Sequence, residues 1–220
     1  QGTGTHSLTL TSGAGTITLV EVGGSSKPLT SFVATSNALT ISNDITTTGL
    51  IDINAPVTLG GDVIISSGTG TGNVEFSSTI TGTQNLDILS GSGAVTITGN
   101  IGAQALTSLD INATGASTGS GNISILGNIG ADGTSGAGIV NIGNSNTGSI
   151  TLGTSGTESE YFTTGAQTYD ASLYYLNGTD PDFNASSENI KFLDGVNGFN
   201  LAAAADLTVD TGSGADGDIN

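Results

Sequence analysis

Short apolar–polar–apolar phrases, separated by glycine-rich breaks, recur along almost the whole chain. Leu8-Thr9-Leu10, Ile17-Thr18-Leu19, Leu39-Thr40-Ile41, Ile51-Asp52-Ile53, Val74-Glu75-Phe76 and Leu86-Asp87-Ile88 open the series. Val95-Thr96-Ile97, Leu109-Asp110-Ile111, Ile123-Ser124-Ile125, Val140-Asn141-Ile142, Ile150-Thr151-Leu152 and Leu207-Thr208-Val209 continue it. Alternation with a period of two puts both apolar side chains of a phrase on one face of a strand. One such strand buries too little to stand alone, but many stacked in register form a continuous core. The pattern predicts an all-β chain wound as a parallel β-helix, right-handed because parallel crossovers almost always are. The competing architecture, an antiparallel sandwich, favours strands of about five or six residues joined by hairpins, longer than these phrases.

The spacing of the phrases sets the coil length. Residues 99–103 (Gly-Asn-Ile-Gly-Ala) recur at 127–131, 28 residues on. Ile51-Asp52-Ile53-Asn54-Ala55 resembles Leu109-Asp110-Ile111-Asn112-Ala113 at an offset of 58, and Val63, Leu86 and Leu109 advance by 23. Coils near the low twenties, with the drift absorbed in breaks such as 67–72 and 114–121, fit these offsets. Asn100 and Asn128 are expected to stack at a turn and share side-chain amide hydrogen bonds. The one helical signal, 201–205 after Asn200, is too short to be stable alone.

Near residue 154 the texture changes. Eight of the ten aromatic residues lie between Tyr161 and Phe199, and 11 of the 19 acidic residues fall from Glu158 onward. The expectation is therefore three parts: solenoid repeats over 1–153, a loop-rich aromatic and acidic module or cap over 154–205, and a resumed coil or connection over 206–220.

The phrases at 90–102 and 106–113, and Gly165-Ala166-Gln167-Thr168-Tyr169, resemble the repeats of filamentous-haemagglutinin-like exoproteins. The resemblance implies a right-handed parallel β-helix in a very large bacterial surface or secreted protein. That family's amino-terminal secretion domain carries an Asn-Pro motif. Here the three prolines follow Lys27, Ala55 and Asp180, so the resemblance implies an interior or carboxy-terminal segment, or export by another route.

Composition narrows the chemistry. Two basic residues, Lys27 and Lys191, stand against 19 acids, for a net charge of -17. A nucleic-acid partner is not expected, because phosphate contacts need cations. Leu, Ile, Val and Phe make up 54 of 220 residues, near the level of disordered acidic chains, but their strand periodicity argues for order. There is no cysteine to staple the fold. No apolar run approaches the roughly 18 residues of a membrane span. The absence of methionine, and of a charged and apolar leader before Gln1, suggests a processed chain or a piece of a larger one.

No catalytic residues are expected. His6 is the single histidine, and a triad or general base needs positioned partners. A polysaccharide lyase needs cations that two distant lysines do not supply. The acid pairs Glu158/Glu160 and Asp180/Asp182 suit glycosidase chemistry but read as solvated loop residues. Calcium is the more credible ligand, through Asp180, Asp182, Asp206, Asp210, Asp216 and Asp218, whose hard oxygens lie close in sequence. Tyr169, Tyr174 and Tyr175 form either a recognition surface or a local core, the core being favoured. Thr16-Ile17-Thr18, Thr79-Ile80-Thr81 and Thr96-Ile97-Thr98 have the form of an ice-binding row, which the outward Asp87, Asp110, Ser124 and Asn141 interrupt.

The sequence thus points to a non-enzymatic structural segment of an extracellular adhesin or filament. Its expected partners are further copies or neighbouring repeats, and a host or cell-surface glycan or protein. A carbohydrate-binding or carbohydrate-active β-helix is the alternative.

Overall fold

A computed structural model describes residues 6–24, 26–113, 119–130, 136–186, 188–195, 197–201 and 207–211. The described residues are all β, and every pairing between strands is parallel. Coil 1 is β1 (Ser7–Leu19), and coil 2 is β2 (Ser31–Ile41) with β3 (Ile45–Thr46). Coil 3 holds β4 (Ile51–Asn54), β5 (Val57–Leu59) and β6 (Val63–Ser66), and coil 4 holds β7 (Val74–Phe76), β8 (Ile80–Thr81) and β9 (Asn85–Leu89). Coil 5 is β10 (Val95–Ile97) and β11 (Leu106–Ile111), and coil 6 is β12 (Ile123–Ile125) and β13 (Ala137–Gly143). Coil 7 comprises β14 (Ser149–Leu152), β15 (Glu158–Phe162) and β16 (Gln167–Ala171). Coil 8 comprises β17 (Leu173–Leu176), β18 (Thr179–Asn184) and β19 (Ile190–Asp194), and β20 (Phe199–Leu201) with β21 (Thr208–Asp210) begins a ninth.

Three faces result. Face A runs from the first halves of β1 and β2 through β4, β7, β10, β12, β14 and β17 to β20. Face B takes the second halves of β1 and β2, then β5 and β8. It crosses coils 5 and 6 as single bridges, Ile80 to Ile101 to Ile129 to Tyr161, and resumes as β15, β18 and β21. Face C is β3, β6, β9, β11, β13, β16 and β19. The 23-residue advance of Val63, Leu86 and Leu109 is true register on face C. The 28-residue repeat is also register, with Ile97 on Ile125 and Ile101 on Ile129. The 58-residue match is not: Ile51 lies on face A and Leu109 on face C. Two faces of one solenoid share a local phrase because both need apolar residues inside and a polar residue between them.

Glycine holds one corner. Gly49, Gly72, Gly93, Gly121 and Gly148 each precede the first inward residue of face A by two positions. A Cβ on Gly72 would lie 2.6 Å from the Gly49 Cα, and one on Gly93 would overlap the Gly72 carbonyl oxygen. From Gly49 to Gly121 backbone stacks directly on backbone with no room for a side chain, whereas at Gly148 a Cβ would meet the Asn122 side chain.

The boundary expected at residue 154 is not a change of architecture, and residues 158–201 are no separate loop-rich module. β15 to β20 extend the same three faces. The inward positions have switched from aliphatic to aromatic, so the Leu/Ile/Val phrase disappears while its period persists. Phe199 to Leu201 forms a strand where the short helical signal begins; residues 202–206 and 212–220 lie outside the described residues. Of the resumed coil expected over 206–220, Thr208–Asp210 pairs with β18.

Candidate functional site

With an aliphatic and aromatic interior, chemistry is left to the outward rows and to a few polar groups inside. Tyr169 and Tyr174 are wholly buried, so they are not the recognition surface considered from sequence. Their rings belong to three stacks, one per face, each between register partners. Tyr161 stacks on Phe183 at 4.7 Å, Tyr169 on Phe192 at 4.9 Å and Tyr174 on Phe199 at 4.6 Å. Those distances match the strand spacing of about 4.8 Å, so the fold itself brings the rings into face contact. Edge-on contacts of Phe183 and Phe192 with Tyr169 and Tyr174 tie the faces together. Tyr175, one position on from Tyr174, points outward in register with Thr151 and Asn200.

Gln167 takes an inner position of face C, between Val140 and Ile190, and is fully buried. Its Nε2 donates to the Tyr161 and Asn184 carbonyls at 2.7 and 2.8 Å, and its Oε1 accepts the Tyr169 hydroxyl at 2.9 Å. The Tyr174 hydroxyl accepts the Ala171 N–H at 3.0 Å and lies within donating distance of the Tyr169 and Leu193 carbonyls. Burial pushes the Tyr174 phenol up to about 12, and those of Tyr161 and Tyr169 above the usual range. Buried Asn112, at φ 52°, accepts the Ser90 N–H and donates to the Ser90 hydroxyl, both at 2.9 Å. A short polar side chain tolerates that left-handed backbone.

The asparagine ladder takes a different form from the one expected. Asn100 Oδ1 accepts the backbone N–H of Asn128 at 3.0 Å, and Asn128 Oδ1 accepts that of Glu160 at 3.2 Å. Each side chain caps the amide of the next coil instead of pairing with another side-chain amide.

Carboxylates gather in two clusters, besides the pair Asp170 and Asp194 on β16 and β19, where burial and then Asp194 raise the Asp170 carboxyl. On face C, Asp87 and Asp110 are in register, with Asp44 and Asp62 on the turns before β3 and β6. Burial first, then Asp110, Asp44 and Asp62, hold the Asp87 carboxyl above the usual range. On face B, Glu160 is in register with Asp182, and Asp210 lies on the next coil. Burial, then Asp210 and Glu158, raise Asp182 likewise, and its Oδ1 is buried without a hydrogen-bond partner.

Of the six aspartates considered for calcium, Asp182 and Asp210 come to neighbouring coils, and Asp180 is exposed at φ 46° beside them in sequence. Asp206, Asp216 and Asp218 lie outside the described residues. Among the described residues, no three His, Cys, Asp or Glu side chains converge as a metal site. His6 is exposed at the start of coil 1, Lys27 precedes coil 2 and Lys191 sits on coil 8. Thr18, Thr40, Thr58 and Thr81 form an in-register row on face B, whereas Thr96 lies on face A. The three Thr-x-Thr phrases therefore do not share one surface. No described helix is long and apolar enough to cross a membrane.

No protein-family model, curated protein or solved structure matches the chain.

The face C carboxylates had a partial signal in the sequence. Asp87 and Asp110 follow the 23-residue advance by one position. Asp44 and Asp62 sit in turns, where coil length varies, so spacing alone does not place them. Gln167 reads as a polar residue in an alternating strand, and only the columns show that it points inward.

Proposed function

We propose that the chain is a non-enzymatic structural segment of a bacterial extracellular adhesin or filament, stacked with further coils into a long rigid rod. The observation that carries this reading is the continuity of the inner columns. Phe199 and Leu201 continue the columns of Tyr174 and Leu176, yet are 46% and 47% exposed. These are core positions still offering an apolar surface. About eight turns, each rising one strand spacing of about 4.8 Å, climb only about 40 Å. In this reading the length of the rod is supplied by further coils, of the same polypeptide or of another copy. The likeness of the repeat phrases to filamentous-haemagglutinin-like exoproteins supplies the bacterial and extracellular parts of the reading. Burial of Tyr169 and Tyr174 removes side chains on which the glycan-binding alternative drew.

Electron micrographs of the native material test it. Long fibres or end-to-end assemblies about one solenoid wide are the expected result. Short isolated particles that bind or degrade glycans overturn it.

A further inference from the structure

The four carboxylates that meet at Asp87 on face C differ in one respect. Asp44 Oδ1 accepts the Ile64 N–H at 2.9 Å, Asp62 Oδ1 accepts the Asn85 N–H at 3.0 Å, and Asp110 Oδ1 accepts the Asn141 Nδ2 at 2.7 Å. Among the described residues no donor reaches Asp87, although Asp110 lies directly in register with it. The comparable pair on face A, Asp52 and Glu75, is relieved on both sides. Asn54 donates to Asp52 at 2.9 Å, and Asn73 donates to Glu75 at 3.2 Å. Like charges directly opposite on neighbouring strands are destabilising, and at Asp87 nothing offsets that cost.

We propose that Asp87 is a proton-operated clasp between coils 4 and 5. On acidification its carboxylate takes a proton from solvent and donates it in a hydrogen bond to Asp110, so the solenoid is held more tightly in acid than at neutrality. Asn141 already shows this geometry from the other side of Asp110, in the same outward row. A hydroxyl on Asp87 repeats with a proton what Asn141 does with an amide.

Every charged group that meets Asp87 has the same sign. β11 brings Asp110, the turns before β3 and β6 bring Asp44 and Asp62, and β6 and β9 bring no other ionisable side chain. Lys191, in the same outward row, lies beyond Asn141 and Thr168. The folded-state pKa is raised, so the stabilisation is complete below the ordinary aspartate value of about 3.9 and is lost as pH rises through the folded value. The device belongs to the solenoid itself and stands whether or not the chain is part of a rod. A similar arrangement recurs at Asp182, whose unpartnered oxygen lies in register with Glu160.

The test is the thermal midpoint of the full chain between pH 7 and pH 4 at fixed ionic strength, with site-resolved carboxyl NMR of Asp87. The midpoint is expected to rise on acidification, and Asp87 to titrate above about 3.9. Asp87→Asn places a permanent donor beside Asp110. It should raise the midpoint at pH 7 and flatten the dependence on pH, while Glu21→Gln, at an exposed site on coil 1, keeps the full rise. An Asp87→Asn protein with an undiminished rise overturns the proposal. So does an Asp87 that titrates at or below the ordinary value, a measurement that needs only the unaltered chain.

Discussion

Coils 3 to 6 and coils 7 to 9 wind the same three faces around interiors of different chemistry. The earlier coils fill their columns mainly with Ile, Val and Leu, such as Ile51, Val74, Val95 and Ile123 on face A. Their corner before that face is glycine, where successive backbones meet with no side chain between. The later coils carry Tyr161, Tyr169, Tyr174, Phe183, Phe192 and Phe199 inside; coil 7 keeps Gly148 at the same corner, and coils 8 and 9 hold Ser172 and Asn197 there. One region gains close contact by removing side chains at a corner. The other gains it by stacking rings at the strand spacing. The winding is therefore not tied to either chemistry. It needs an inward position every second residue and a turn that lets the next coil lie flat.

Truncating the rings should separate the regions most strongly. Phe183 touches Tyr161 face to face and Tyr169 and Phe192 edge to face. Phe183→Ala is expected to cost about 3–5 kcal/mol, concentrated in coils 7 to 9 because each coil in a solenoid contacts only its neighbours. Hydrogen exchange should show coils 7 to 9 opening while the amides of coils 3 to 5 stay protected. Uniform loss of protection would mean that the two regions are one cooperative unit.

The glycine corner comes next. Gly93→Ala drives a methyl group into the Gly72 carbonyl and should cost about 2–3 kcal/mol, centred on coils 4 and 5. Gly15→Ala is the matched control. Its new Cβ would come no closer than 3.4 Å to any neighbour, and a change within about 0.5 kcal/mol is expected. Equal denaturant midpoints for the two variants would show that the corner relaxes freely and that its glycines are not needed for stacking.

The same comparison explains what the sequence made legible. Period-two alternation, together with the 23-residue advance of Val63, Leu86 and Leu109, was enough to predict a parallel solenoid. The phrase is defined by aliphatic residues, so Tyr174-Tyr175-Leu176 reads as part of an irregular module although it keeps the period, and Gln167-Thr168-Tyr169 falls in the same span despite its likeness to the repeats. An inward ring can also sit between aliphatic neighbours, as Phe32 does beside Ile51 and Phe76 beside Ile97, but a run of stacked rings depends on register across 22 to 25 residues and leaves no local mark. The face C carboxylates were half visible for a related reason: Asp87 and Asp110 ride on strands, whereas Asp44 and Asp62 sit on turns of variable length. Gln167 and Asn112 are polar by type, and only the surrounding carbonyl, hydroxyl and amide partners make them interior residues.

The smallest expected effect concerns single hydroxyl groups within the aromatic region. The Tyr161 hydroxyl is buried beside Ser159 without closing a hydrogen bond, whereas that of Tyr174 accepts the Ala171 N–H and meets two carbonyls. Removing an unsatisfied buried group is close to neutral or stabilising, while removing a satisfied one strands its partners at about 1–3 kcal/mol. At pH 7 Tyr174→Phe should therefore lower the denaturant midpoint and Tyr161→Phe should leave it unchanged or raise it. Alkaline pH sharpens the contrast, because the folded values of these phenols lie above the ordinary value of about 10. Their contribution is complete below that value and lost as pH rises through the folded one, about 12 for Tyr174. Coils 7 to 9 should loosen first under base, since the described interior of coils 3 to 6 holds no phenol. Tyr161→Phe should blunt this loosening despite its neutral effect at pH 7. Loss of structure in coils 3 to 6 before coils 7 to 9 in base would mean that repulsion among the outer carboxylates outweighs ionisation of the buried rings.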